Sequence, residues 1–269
     1  YDFDSGYTVT LAGAYRDEEL KTGSDSDHGS VNFKFSGDNP NEEGFFAISG
    51  KDETDDYSLE LRLDSPQEQS LRWMIGGFYF NQNIDGSDIF FSGPDFKESE
   101  EELENWAAFG SVTYDFSERL SGTVELRYME EDKDLTEYDE VDGSRVKTYD
   151  DSDTWDSTTP RVTLDFQWTD DILVYASYAE GAKPGGFNGQ DGAEVGKNTY
   201  DQEESNNFEL GVKSTWLGGR VLANLAVYYT DVDKIQLTTT ILNPEGAPNS
   251  IVTNQGEREV WGTEVELTW

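Results

Sequence analysis

The chain has 269 residues, 35% of them apolar, with 57 acidic against 19 basic side chains and a formal net charge of -38. That charge repels phosphate backbones and argues against nucleic-acid binding, the lack of cysteine removes disulfides and thiolate chemistry, and no apolar run approaches the roughly 18 residues of a spanning helix. An aromatic content of 13% is too high for a disordered acidic chain, and no compositional break marks a linker, so the length reads as one domain.

In chain order, Tyr7, Val9, Leu11, Gly13 and Tyr15 alternate with small or polar neighbours and predict a first strand, followed by an acidic, Ser/Gly-rich loop as far as Gly29. Val31–Phe35 and Phe45–Ile48 predict shorter strands on either side of a dense turn signal at residues 37–41. From Tyr57 the pattern sharpens. Tyr57, Leu59, Leu61 and Leu63 form one face, Ser65-Pro66 a turn, and Leu71, Trp73, Ile75, Gly77 and Tyr79 the returning strand. The same hairpin recurs with Trp106–Tyr114 and Leu120–Tyr128, with Val162–Trp168 and Ile172–Tyr178, and with Phe208–Trp216 and Val221–Tyr229; Trp261–Trp269 is the last strand. About twelve strands result, each near the roughly 9 to 11 residues that a tilted strand needs to cross a bilayer.

The turns near Pro66, Ser117, Asp170 and Gly218 are short, whereas the connections at 81–105, 130–157, 180–205 and 231–257 are long. Acidic residues crowd at Asp17–Glu19, Asp52–Asp56, Glu98–Glu104, Glu130–Glu140 and Asp150–Asp156, which are read as loops. Strict alternation of short and long connections fits a transmembrane barrel, with short turns on one side and long loops on the other; the two ends of a soluble sandwich have no reason to differ so. Aromatics such as Trp73, Trp106, Tyr128, Trp168, Trp216 and Trp261 fall near strand ends, as rings at two membrane interfaces would. The opposite face carries Glu60, Arg62, Glu125, Arg127, Arg161, Asp165, Glu209, Lys213, Glu264 and Glu266, the mixed charges of a wet lumen or of an ordinary solvated sheet.

Three stretches carry a family resemblance. Tyr57–Pro66 (YSLELRLDSP), Asn207–Lys213 (NFELGVK) and Tyr175–Asn188 (YASYAEGAKPGGFN) are similar to strands of the barrel portion of TonB-dependent receptors, outer-membrane transporters of Gram-negative bacteria. The resemblance implies an all-β, antiparallel up-and-down transmembrane barrel. Residues 1–269 would supply part of it, about twelve of 22 strands, with the plug domain and the last strands lying outside the chain. The start at Tyr1 without methionine leads to the same expectation of a piece of a longer, secreted protein. The implied function is active uptake of a scarce ligand, first of all a ferric siderophore, with carbohydrates, haem and cobalamin open. The implied partners are TonB, reached through a missing N-terminal TonB box, the ligand, and outer-membrane lipid and lipopolysaccharide. The energy would come through TonB, so no bound cofactor is expected. A passive porin, a soluble secreted β-sandwich adhesin and an outer-membrane hydrolase are the competing readings, in that order.

Enzymatic machinery is hard to assemble. The one histidine, His28, stands in a polar loop, no Gly-x-Ser-x-Gly occurs, and Gly185-Gly186 lacks the lysine and serine of a phosphate loop. No catalytic, cofactor-binding or metal-ligating residue is assigned; Asp150–Asp153 and Asp132–Asp142 offer oxygen ligands to calcium but lack EF-hand spacing. Lys183, Phe187 and Asn188 are the candidate ligand contacts, set against a plainer role in shaping a strand exit, where Gly181, Pro184, Gly185 and Gly186 already give a sufficient backbone reason.

Overall fold

The computed structural model describes residues 1–25, 47–90 and 96–269. Its elements in chain order are β1 (Thr8–Asp25), β2 (Ala47–Asp64), β3 (Leu71–Phe90), β4 (Phe96–Ser117), β5 (Leu120–Val141), β6 (Ser144–Thr169), β7 (Ile172–Lys183), β8 (Gly186–Phe187), α1 (Gly189–Glu194), β9 (Thr199–Tyr200), β10 (Glu203–Trp216), β11 (Val221–Asp233), β12 (Gln236–Leu242), β13 (Pro248–Asn254) and β14 (Glu257–Thr268). Ten strands form one sheet in the order β1-β2-β3-β4-β5-β6-β7-β10-β11-β14, each antiparallel to its neighbours, while β8-β9 and β12-β13 are small separate ladders. Period-two alternation sets the register. Leu61 lies opposite Leu11 and Gly77, and Val212 opposite Val174 and Leu225, so one face of the whole sheet is apolar.

Among the described residues that face has no protein partner. Leu11, Leu61, Ile75, Val124, Leu164, Leu210 and Val265 are exposed, and no second sheet packs on them. A soluble sandwich would bury this face; a single-layered wall leaves it for an apolar solvent. Two aromatic belts bound the face. One follows the register through Tyr15, Tyr57, Tyr79, Trp106, Tyr128, Tyr178, Phe208, Tyr229 and Trp261, with ring centroids 5.7 Å apart for Tyr57–Tyr79, 5.3 Å for Trp106–Tyr128 and 4.9 Å for Tyr178–Phe208. The other holds Tyr7 and Trp73 at 6.0 Å, Tyr114 and Phe116 at 5.1 Å, and Trp216 and Trp269. Along a strand the belts are eight residues apart, as from Trp106 to Tyr114, from Phe208 to Trp216 and from Trp261 to Trp269. At about 3.3 Å per residue and a tilt of about 40° this is about 20 Å of height, close to the apolar band of outer-membrane barrels.

The short turns stand where the alternation places them. Connections differ at the other end because most strands do not stop at the belt: their lengths range from 12 residues in β7, near the expected bilayer-crossing length, to 26 in β6, well beyond it. The acidic runs Asp17–Glu19, Asp52–Asp56, Glu98–Glu104, Glu130–Glu140 and Asp150–Asp156, expected as loops, are strand. Backbone pairing continues there without an apolar face, since above the bilayer both faces meet water. The stretch expected as a long loop at 130–157 is a continuous hairpin closed by Asp142 (φ 51°) and Gly143 (φ 74°), a two-residue turn whose twist matches the strands. It rises about 30 Å beyond the belt. The strand expected at Val31–Phe35, the turn at 37–41 and His28 lie outside the described residues, as do Phe45 and Phe46, while Ala47 and Ile48 begin β2.

Many of these outward carboxylates face each other directly across strands, as in Glu104 with Asp132, Glu102 with Asp134, Glu130 with Asp156, and Asp17 with Asp55. Such pairs oppose sheet formation. Cations relieve some of the strain: Arg145 reaches Glu98 and Glu100 and lies 3.4 Å from the Tyr138 ring centre, and Arg16 bridges Glu18 and Asp56 at 3.0 and 2.6 Å. The first carboxylates above the belt also accept from belt donors: Tyr79 Oη to Glu104 at 3.0 Å, Trp106 Nε1 to Glu130 at 3.2 Å and Tyr178 Oη to Glu180 at 2.6 Å. Each such ring thus has its polar tip anchored in water and its body in the apolar band.

Candidate functional site

Inside the curve of the sheet, beyond the belt, the wall of β4, β5 and β6 is covered by chain that folds back onto it. β7 ends at the Pro184-Gly185-Gly186 run because proline offers no ladder donor and the glycines admit close approach. A Cβ on Gly185 would overlap the Trp155 indole nitrogen and the Tyr200 carbonyl, and one on Gly189 (φ 60°) would enter the Glu137 carboxylate. Through these two contacts residues 184–200 lie flat on the wall. Lys133 Nζ donates to the Gly185 carbonyl at 3.0 Å, the Phe187 ring meets Trp155 edge-on at 5.5 Å, and the Gln190 amide donates to Glu137 Oε2 at 2.6 Å. Phe187 and Gly186 pair with Thr199 and Tyr200, closing the loop on itself.

The β12–β13 hairpin joins the same body through side-chain amides. Asn188 donates to the carbonyls of Lys197 and Val252, both at 2.9 Å, and accepts from the Val252 amide at 2.7 Å. Gln236 donates to the Pro184 carbonyl at 2.8 Å, and buried Asn249 donates to Glu194 at 2.9 Å and to the Asp191 carbonyl at 3.0 Å. Ile251 and Ile235 are buried beneath. The result is a shelf seated on the inner face of the wall, beyond the belt.

Two recesses open between shelf and wall. One, of about 170 Å³, is lined by Gln82, Ile84, Glu101, Lys133, Phe187 and Tyr200; the other, of about 130 Å³, by Asp52, Asp88, Lys97, Glu137 and Gln190. Each is smaller than the roughly 300 Å³ at which small-molecule sites begin, so each fits a substituent of a larger molecule rather than a whole one. Lys133 pairs with Glu131 at 2.9 Å and lies 5.5 Å from the Trp155 ring centre. Among the described residues no three potential ligands gather as a metal site, the Asp132–Asp142 and Asp150–Asp153 runs included. The chemistry on offer is recognition by aromatic faces, carboxylates and a few ammonium groups.

Of the expected contact residues, Lys183 is exposed at the end of β7, on the inward-facing row. Phe187 and Asn188 are half-buried, one packed on Trp155, the other with both ends of its amide engaged by backbone. Trp155, Lys133, Glu101, Glu137 and Tyr200 were not anticipated. All five lie in stretches expected as loops; only the inward parity of 101, 133, 137 and 155 along extended strands marks those four as one wall.

Burial raises the pKa of Glu101 and of Glu137 above the ordinary 4.5, partly offset by Lys133 for Glu101 and by the Gln190 amide for Glu137. Asp88 is raised by burial and then by Asp52. A carboxyl raised in the folded state favours its neutral form there, so folding gains as pH falls through the raised value and loses as pH rises through it. Amide protection in β4 and β5, corrected for intrinsic exchange, is therefore expected to increase from neutral pH towards pH 4.5. Glu101→Gln should flatten that rise, and an unchanged rise in the variant would show that other groups govern it.

Residues 1–269 match the family described as TonB dependent receptor-like, beta-barrel. The chain is 27% identical over 171 residues to the pesticin receptor of Yersinia enterocolitica, covering 62% of this chain and 24% of that protein. It is 30% identical over 110 residues to the ferric-pyoverdine 358 receptor of Pseudomonas putida, covering 41% of this chain and 13% of that one. Its fold superposes on the ferric yersiniabactin uptake receptor FyuA of Yersinia pestis with a TM-score of 0.75 at 17% identity, over 99% of this chain and 38% of the other.

Proposed function

The chain belongs to the TonB-dependent receptor β-barrel family of the Gram-negative outer membrane, and on that footing we propose that it forms one section of the barrel of an active importer for a scarce metal chelate, a ferric siderophore first. The observation that carries this reading is the shelf of residues 184–200 and β12–β13 on the inner wall beyond the bilayer, which gives the mouth a shaped surface where a passive pore needs open width. The relatives point the same way, since their names record a pyoverdine and a yersiniabactin iron complex as cargo. In this reading the belts hold the wall in the membrane, with lipopolysaccharide outside. The recesses grip parts of the chelate, Lys183 offers it an exposed ammonium, and Phe187 and Asn188 act by holding the shelf. A plug elsewhere in the receptor closes the lumen until TonB, driven by the proton-motive force, acts on it.

The test is uptake of iron presented as chelates to a strain lacking the receptor gene. Loss of uptake on deletion, with the same loss on removing TonB, is expected. Iron uptake independent of TonB would replace the importer by a passive pore, and normal uptake in the deletion strain would remove iron chelates as cargo.

A further inference from the structure

The inner face of the mouth has a sign. Beyond the aromatic belt, Asp52, Asp88, Glu101, Glu137 and Asp151 fall on the inward-facing rows of β2 to β6, against Lys97 and Lys133 on the same rows and Lys183 at the end of the inward row of β7. Lys133 is already taken, by Glu131 at 2.9 Å and by the Gly185 carbonyl at 3.0 Å. The way it is held is informative in itself: an alkylammonium lies between a carboxylate and the face of Trp155, 5.5 Å from the ring centre. The recess beside it brings Glu101, Phe187 and Tyr200 together, with Lys133 on its lining.

Resting on the importer reading above, we infer that the cargo enters with a net charge of zero or above. Iron(III) bound by three monoanionic hydroxamates is neutral, and a protonated amine arm makes the complex cationic. Iron(III) bound by three dianionic catecholates carries three negative charges, which this mouth repels at every approach distance within the screening length. The aromatic faces contact the organic shell of either complex alike, so charge is what separates them. The carboxylates act here by selecting among chelates, as a field over the mouth.

The experiment titrates the full-length receptor in detergent with a ferric tris-hydroxamate and a ferric tris-catecholate, followed by tryptophan fluorescence, at low and at high salt. The hydroxamate complex is expected to bind at least about tenfold more tightly at low salt, with the gap narrowing as salt screens the field. Glu101→Gln and Asp88→Asn, each checked for heat-modifiable migration, should narrow it without salt; the wild-type comparison stands if either variant misfolds. Equal or tighter binding of the catecholate complex at low salt overturns the charge selection and leaves the importer intact. Binding of neither, together with absent TonB-dependent iron uptake, overturns both.

Discussion

Val212→Arg is expected to keep the barrel wall from assembling in the bilayer. Val212 sits midway between Phe208 and Trp216, on the apolar face, opposite Val174 and Leu225. Arginine at the midplane of such a face costs about 2–4 kcal/mol, a large share of what keeps a domain folded. The adjacent residue makes the contrast. Lys213 points inward, its ammonium 5.2 Å from the Tyr175 ring centre, and the wall tolerates it. Ser177→Arg, on the same inward row and opposite Glu209, should therefore fold normally. The measurement is the fraction of receptor that inserts into vesicles and shows heat-modifiable migration. Equal loss in both variants would mean that the two faces of this sheet do not divide lipid from lumen.

The second large effect is expected at Gly185. Valine there has no space, since the first added carbon already meets the Trp155 indole and the Tyr200 carbonyl, neither of which can swing aside freely. Overpacking of this kind costs about 1–3 kcal/mol, and the Lys133–Gly185 hydrogen bond and the Trp155–Phe187 contact go with it. Residues 189–200 should then be cleaved by added protease about 10 to 100 times faster, each 1.4 kcal/mol being tenfold in the open population. Cargo binding should fall while barrel insertion stays normal. Trp155→Ala in the same chain vacates the indole's volume and is expected to restore part of the protease resistance. If Gly185→Val cleaves no faster than the parent chain, the shelf is not seated on this wall.

The readable part of this molecule is the part that touches lipid. Tyr57–Leu63 and Leu71–Tyr79 alternate cleanly because a bilayer on one side and water on the other force period two into the residue types. Above the belt that constraint ends. Glu98, Glu100, Glu102 and Glu104 alternate with Ser99, Glu101 and Leu103, so both faces are polar and the run looks like a loop although β4 passes through it unbroken. The shelf was hidden for another reason. The proline and glycines at 184–186 mark where β7 stops, but the partners that receive them, Trp155, Lys133 and Glu137, lie about 30 to 50 residues earlier on strands that were themselves unrecognised. Asn188 shows the limit plainly: its residue type fits a turn, and only the position of Val252, 64 residues on, reveals that it ties two loops together.

The neighbour-to-neighbour order of the wall also says how such a protein can be built. Every strand from β1 to β7 lies beside the strand that precedes it, and the later pairs β7 with β10 and β11 with β14 are interrupted only by the shelf segments. Closing each ladder thus demands little loop entropy, and lengthening a connection adds only logarithmically to it. Assembly can proceed as a zipper, each hairpin templated by the free edge of the last. Insertions beyond the belt reshape the surface there without changing the order in which the strands are laid down, so the two properties are free to evolve apart.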